Sequence, residues 1–352
     1  MKMDDILKNA VAMGASDIHI TVGSPVIYRL DGVLKPIDDR KLMPQDAEDI
    51  VLSMMNQQQK EKFAENGEVD FSYALSHVGR FRVNAFMQRG TMGMAVRVVV
   101  LDIPKISALG LPPVVRELTE KKSGLILVTG PTGSGKSTTL ASMIDVINGS
   151  RNDHIITIED PIEYLHKHNQ CIVNQREIGA DSKSFGNALR AALRQDPDII
   201  LVGEMRDADT MQTAITAAET GHLVMSTLHT KSAVETIERI IDVFPPHQQN
   251  QVRIQLASIL EAVISQRLLP RADGSGRVVA YEILIANRAA RNLIRTGKTH
   301  QLQTVLETGS QFGMVTMANS LLRLHKEGKI NRKIMTSYLP DDIIAKLRME
   351  RY

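Results

Sequence analysis

The sequence predicts an α/β protein built on a parallel sheet, with a smaller α+β region ahead of it. Three observations lead there. From residue 125 onward, short apolar runs alternate with longer helical segments, and the runs are continuous, as in strands covered on both faces. A glycine-rich turn, Gly130-Pro131-Thr132-Gly133-Ser134-Gly135-Lys136-Ser137, joins the first of these runs to the first helix. The first hundred residues lack this texture and read as hairpins and short helices.

Taken in order, residues 2–13 fit a helix with Ile6, Leu7, Ala10 and Val11 on one face. Asp17 to Val22 alternates like a strand. Val26–Leu30 and Val33–Pro36 flank Asp31-Gly32, a hairpin signal. Pro44 opens a polar helix expected to run to about Phe63. Asp70–Ala74, Arg80–Phe86 and Met92–Val100 read as further strands. Pro104, Gly110, Pro112 and Pro113 mark 101–113 as a linker. Beyond it come a strand at Leu125–Thr129, a helix at 136–147 and a strand at Ile155–Ile158. A helix from Ser184, a strand at Ile199–Val202, a helix at 208–219, a strand at Leu223–Leu228 and a helix from Ser232 follow. From about 289 the chain reads as mostly helical. The expected division is a small α+β domain at 1–100, a linker at 101–113, a parallel-sheet domain at 114–288 and a helical portion at 289–352.

Composition narrows the class. The chain has 352 residues, enough for two domains, and 43 % of them are apolar. The 42 basic and 40 acidic side chains leave a net charge of +2, without the basic excess of a dedicated nucleic-acid binder. The single cysteine, Cys171, excludes an internal disulfide and a cysteine-rich zinc site. The opening MKMDDILKNA is unlike a signal peptide, and no run reaches a membrane span, so a cytoplasmic setting is expected.

The turn at 130–137 matches G-x-x-x-x-G-K-[ST] at every fixed position. Its glycines let backbone amides turn inward and approach phosphate oxygens without a Cβ in the way. The helix behind it offers its positive end to an anion. Lys136 supplies a point charge for the β- and γ-phosphates, and Ser137 a hydroxyl for Mg²⁺. The phosphate-binding set is therefore Gly130, Thr132, Gly133, Ser134, Gly135, Lys136, Ser137 and the following Thr138.

Asp198-Ile199-Ile200-Leu201-Val202-Gly203-Glu204 is an apolar strand ending in a carboxylate. At the phosphate edge, Glu204 would orient the attacking water or reach Mg²⁺ through water. An ion pair with Arg206 is the plainer alternative. Glu159, Asp160 and Glu163 follow the strand Ile155–Ile158, which is expected beside the phosphate-loop strand, so that these acids would either ring the metal or stand in a solvated loop. His222 and His229 bracket Leu223–Leu228, and a polar group at that strand's end would sense the γ-phosphate, a structural histidine being the alternative.

Together these elements resemble the secretion-ATPase superfamily and, within it, the type IV pilus retraction ATPases, over nearly the whole chain. The Walker A box is Gly130–Ser137. The Asp box matches Ile158-Glu159-Asp160-Pro161-Ile162-Glu163. The Walker B box matches Leu193 to Asp198 and Gly203-Glu204-Met205-Arg206-Asp207. The His box matches Glu219-Thr220-Gly221-His222 and Ser226-Thr227-Leu228-His229-Thr230. Gly14-Ala15-Ser16-Asp17-Ile18-His19-Ile20 looks like the start of the family's PAS-like N-terminal domain. The family's retraction signature, A-I-R-N-L-I-R-E, meets Ala289-Ala290-Arg291-Asn292-Leu293-Ile294-Arg295-Thr296, departing at Ala290 and Thr296.

The resemblance implies a RecA-like P-loop ATPase behind a PAS-like domain, with ATP and Mg²⁺ as cofactors. It implies a homo-hexamer that hydrolyses ATP between subunits and drives pilus retraction through an inner-membrane platform protein, touching the pilin fibre indirectly. Catalytic roles fall on Glu204, Glu163, His229 and His222, with Ser137, Glu163 and Glu204 at the metal. Arginines from the N-terminal domain complete the site in trans. The matching candidates are Arg80, Arg82 and Arg97, with Arg82 and Arg97 favoured. A solvated strand face accounts for the same spacing of Arg80 and Arg82. An accessory retraction paralogue, an assembly or secretion ATPase, a ring-shaped nucleic-acid translocase and an idle nucleotide-binding scaffold are the competing readings. The single cysteine and short N-terminus stand against the assembly branch, the balanced charge against the translocase, and the intact Lys136, Ser137 and Glu204 against the scaffold.

Overall fold

The computed structural model describes residues 2–30, 32–99, 102–339 and 343–345. Asp31 of the expected hairpin turn, Val100, Leu101 and the end of the C-terminal portion lie outside the described residues. The chain divides into two compact units, Met1–Asp102 with Glu163–Leu165, and Ile103–Ile162 with His166–Tyr352.

In the first unit, helix α1 (Met3–Ala12) precedes strands β1 (Asp17–Ile20), β2 (Ile27–Leu30) and β3 (Val33–Pro36). Helices α2 (Pro44–Ser53) and α3 (Gln57–Asn66) then lead to β4 (Glu68–Leu75), β5 (Gly79–Gln88) and β6 (Thr91–Val98). Among the described residues these strands form one antiparallel sheet, ordered β3-β2-β1-β6-β5-β4. One face carries the core. Phe81, Val83 and Ala85 of β5 are fully buried, and Arg82 between them is exposed, as the strand's period of two requires. Ile6, Leu7 and Ala10 of α1 join that core, and the Tyr28 hydroxyl donates to the Ile6 carbonyl at 2.6 Å. The helix expected to run from Pro44 to about Phe63 is two helices. Asn56 breaks it, because its side chain accepts from the Gln59 amide while the Gln59 side chain accepts from its own, a capping box.

The second unit opens with a short 3₁₀ turn at Ile106–Leu109 and helix α4 (Pro113–Glu117). Strand β7 (Gly124–Thr129) and helix α5 (Lys136–Asn148) flank the glycine-rich turn. Then come β8 (His154–Glu159), β9 (Ile172–Glu177), α6 (Phe185–Ala192), β10 (Ile199–Val202), α7 (Ala208–Glu219) and β11 (Leu223–Leu228). Helices α8 (Ala233–Asp242) and α9 (Pro246–Ile259) precede β12 (Leu260–Pro270) and β13 (Arg277–Ile285). Helices α10 (Arg288–Arg295), α11 (Leu302–Thr308), α12 (Met317–Lys326) and α13 (Arg332–Tyr338) follow. The sheet runs β13-β12-β7-β11-β10-β8-β9, parallel throughout except for the antiparallel β13.

This order corrects one expectation. The strand at 154–159 does not neighbour the phosphate-loop strand. Both flanks of β7 are taken, by β11 and β12, and β8 lies beyond β10. All six residues of β7 are buried, as its continuous apolar run requires of a central strand. Cys171 is buried at 2 % exposure, its thiol donates to the Arg151 carbonyl at 3.1 Å, and burial pushes its pKa up. Among the described residues, no helix is long and apolar enough to cross a membrane.

Candidate active site

The carboxyl ends of the parallel strands gather the candidate residues. Thr129 ends β7, and the turn that follows is held at its start by the Gly130 amide, which donates to the Leu228 carbonyl of β11 at 3.3 Å. Gly130 sits at φ +143°, and a Cβ there would lie 2.3 Å from the Gln266 carbonyl of β12, so no larger residue fits. Gly135, at φ +89°, starts α5. Lys136 is 8 % exposed, and its ammonium donates to the carbonyls of Gly130 and Pro131 at 2.9 and 3.1 Å. The Ser134 hydroxyl is buried with no partner among the described residues. Ser137 and Thr138 are half-buried in the first turn of α5, and Thr132 and Gly133 are exposed. Amides at a helix start, a buried ammonium and an unpartnered hydroxyl make a cradle for a polyphosphate anion.

Glu204 follows β10 in a segment stitched on both sides. The Gly203 amide donates to the Ile158 carbonyl at 2.7 Å, and the Thr227 hydroxyl donates to the Gly203 carbonyl at 2.6 Å. The Glu204 side chain is 12 % exposed. Its Oε1 takes an ion pair from Arg206 at 2.7 Å, and its Oε2 lies 3.6 Å from His229 Nε2. Thr129 and Leu228 are direct partners across β7 and β11, so His229 stands one residue beyond the strand edge beside the start of the phosphate turn. The structure thus brings the phosphate turn, Glu204 and His229 together, and Arg206 occupies one oxygen of the carboxylate.

Other expected residues stand elsewhere. His222 precedes β11, whereas His229 follows it. Six residues at about 3.3 Å each put roughly 20 Å between them, so His222 lies at the amino edge of the sheet. There its Nδ1 meets the Ala217 carbonyl at 2.9 Å, and it lines an open cavity with Arg151 and Asp198. Glu159 points its Oε1 at the Thr157 hydroxyl, 2.6 Å away, and at the Gln175 amide. Asp160 is exposed. Glu163 belongs with Tyr164 and Leu165 to the first unit and is exposed. Among the described residues no group of three His, Cys, Asp or Glu side chains could hold a metal. A Mg²⁺ ion here would rest on the Ser137 hydroxyl, phosphate oxygens and water, the coordination that ion prefers.

In the first unit, Arg82 faces Arg97 directly across β5 and β6, and Arg97 faces Asp17 across β1. Like charges opposed in a sheet repel, and Asp17 offsets this one. Its carboxylate takes Arg97 Nε at 2.9 Å and lies 3.7 Å from Arg29. Burial pushes the Asp17 carboxyl up, but the Arg97 and Ser16 hydrogen bonds outweigh it and hold the group below the usual value. Arg80 is half-buried and Arg82 exposed. The signature run forms α10, where its two arginines differ. Arg291 donates to the carbonyls of Ala286, Ala257 and Ser258 and pairs with Glu261 at 2.6 Å. Arg295 is exposed and bonds the Asn292 side chain at 2.9 Å. Ala290, the first departure from the signature, is fully buried, and Thr296, the second, is exposed.

Sequence reasoning missed Gln266, Asp17 and Glu282. Gln266 has a visible signal, a polar residue inside the apolar run 260–270. Asp17 carries no such signal, because its pairing with Arg97 depends on the register of β1 against β6, strands distant in the chain.

Residues 1–301 match the family model described as type II/IV secretion system protein. The chain is 46 % identical over 333 residues to the type IV pilus retractation ATPase PilT of Pseudomonas aeruginosa, covering 95 % of this chain and 96 % of that one. It is 42 % identical to the type IV pilus ATPase PilU of the same organism, covering 94 % of this chain and 86 % of that one. A crystal structure of the pilus retraction motor PilT with bound ADP superposes with a TM-score of 0.91 at 54 % identity, covering 97 % of this chain and 98 % of that one.

Proposed function

Because the chain belongs to the type II/IV secretion system protein family, we propose that it hydrolyses ATP at the carboxyl edge of its parallel sheet to power retraction of a type IV pilus. The observation that carries this reading is the convergence of the phosphate turn, Glu204 and His229 at one edge. It occurs in a chain similar over nearly its whole length to a pilus retraction ATPase.

The chemistry follows from the residues. The amides of the phosphate turn and the start of α5 bind the triphosphate. Lys136 exchanges its loop carbonyls for phosphate oxygens as the anion arrives. Ser137 would hold Mg²⁺ directly, with Glu204 reaching it through water. When bound, the ion neutralises charge on the β- and γ-phosphates. Glu204 Oε2 orients the attacking water and accepts its proton. His229, beside that oxygen, registers the presence or loss of the γ-phosphate. Arg82 and Arg97 act on a neighbouring subunit's nucleotide, where a guanidinium neutralises charge developing in the transition state. The assembly is a homo-hexamer at the cytoplasmic face of the inner membrane, working through a platform protein.

A second reading, an accessory retraction ATPase, is favoured by the two departures in α10. The deciding experiment is complementation of a pilus-bearing bacterium that lacks its retraction ATPase. Expressing this chain alone should restore surface motility, and Glu204→Gln should not. Motility restored only in a strain whose accessory ATPase, and not its main retraction ATPase, has been deleted would establish the accessory role. No motility in either background, from a protein that hydrolyses ATP, would sink both retraction readings.

A further inference from the structure

Glu282 is a buried carboxylate that the phosphate chemistry leaves unused. It lies on β13 with 6 % exposure and faces Ser265 across the β12–β13 ladder. The Ser265 hydroxyl shares a 2.8 Å hydrogen bond with Thr129, the residue immediately before the phosphate turn. Glu282 Oε1 accepts the amide of Ala233, the first residue of α8, at 2.8 Å. The carboxylate also accepts the amide of Met317, the first residue of α12. Burial pushes this carboxyl up, and the two amides oppose that shift. A carboxylate withdrawn from water needs its lone pairs taken, and two helix starts supply donors of the right sign.

Helix α8 begins four residues after His229. The segment between them has little slack. The Thr230 and Thr236 hydroxyls meet at 2.7 Å, the Lys231 amide donates to Glu235 at 2.8 Å, and the Ser232 hydroxyl accepts from the Glu235 amide. Those bonds tie the segment to its own helix. The Glu282 bond ties the start of that helix to the sheet, in the same row as Thr129. We propose that Glu282 is the positioning residue that sets where His229 stands against Glu204, acting through Ala233. The inference rests on the reading that His229 works at the phosphate site. A shift of about 1 Å at Ala233 passes along a taut four-residue link, and displacements of that size cost up to about a hundredfold in rate.

The test is steady-state ATP hydrolysis by the full chain carrying Glu282→Ala or Glu282→Gln, each alone and with His229→Ala. Glu282→Ala should lower kcat about tenfold or more and leave KM for ATP unchanged. Glu282→Gln keeps the volume and one acceptor, so it should fold even if the alanine variant does not, and lower kcat roughly threefold. In the His229→Ala background, either substitution should change kcat less than about twofold, because its route to the chemistry is already gone. Losses that multiply with that of His229→Ala, or unchanged kcat in both single variants, would overturn the proposal while leaving the His229 reading intact. A His229→Ala variant with full kcat would overturn that reading and the proposal with it.

Discussion

Arg291 commits its guanidinium to three backbone carbonyls and Glu261, whereas Arg295, one turn on, lies at the surface against Asn292. The same residue type in the same helix therefore does two jobs. Arg291→Ala should cost about 2–3 kcal/mol, since it strips charge-assisted bonds from partly buried acceptors. Arg295→Ala should stay within about 0.5 kcal/mol of wild type, as an exposed substitution does. Urea denaturation of both variants checks the pair, and equal losses would contradict the assignment. Sequence alone could not separate them, because the carbonyls of Ala257 and Ser258 reach Arg291 only after α9 and α10 pack. The phosphate turn and Glu204 were legible because their chemistry is local: glycines, a lysine and a strand-end acid at fixed spacing. That His222 and His229 bracket the strand was legible too, and of the two only His229, which follows β11, stands beside the phosphate turn. Glu204→Gln should bind a fluorescent ATP analogue with wild-type affinity and lose roughly a hundredfold in turnover. Turnover within about twofold of wild type would remove Glu204 from the chemistry.

At the scale of elements, β7 and β12 approach so closely at the phosphate turn that Gly130 faces the Gln266 carbonyl. Gly130→Ala should therefore push the turn away from β12 and abolish nucleotide binding by calorimetry while the far-UV spectrum stays unchanged. The existence of β7, β8, β10 and β11 was readable from apolar runs, but their order was not, since periodicity reports burial and not neighbours. Strand β9 escaped notice because Asn174, Gln175, Arg176 and Glu177 make all but its first two residues polar. Strand β12 follows α9 with no turn residue between Ile259 and Leu260 to mark the change. The loop between β8 and β9 carries a pH response. Burial pushes His166 down to about 4, and its Nδ1 has no partner among the described residues. The unfolded chain takes up a proton near the ordinary value of 6.5, while the folded imidazole stays neutral until about 4. Stability should thus fall as pH drops from about 6.5 towards 4 and change no further through this group below that. His166→Gln should flatten part of that slope in denaturation midpoints measured at pH 7 and pH 5.

For the whole molecule, the decisive question is whether one chain can complete its own site. Glu204→Gln and Arg97→Ala subunits, each inactive alone, should regain turnover when mixed, because some interfaces then pair an intact Glu204 with an intact Arg97. A mixture as inactive as its components would place Arg97 outside the neighbour's site, in a purely structural pairing with Asp17. The α/β class followed from runs and spacing alone. The row Arg82–Arg97–Asp17 did not, because register across strands distant in the chain decides it.

The chain's one thiol has a practical consequence. Cys171 is enclosed, bonded to a backbone carbonyl and held largely in its unreactive protonated form. Maleimide dyes should ignore the native protein. A cysteine introduced at exposed Thr296 or Arg295 would then be the single labelling point on each chain. Fluorescent reporters of turnover and subunit exchange can be attached without first rebuilding the interior.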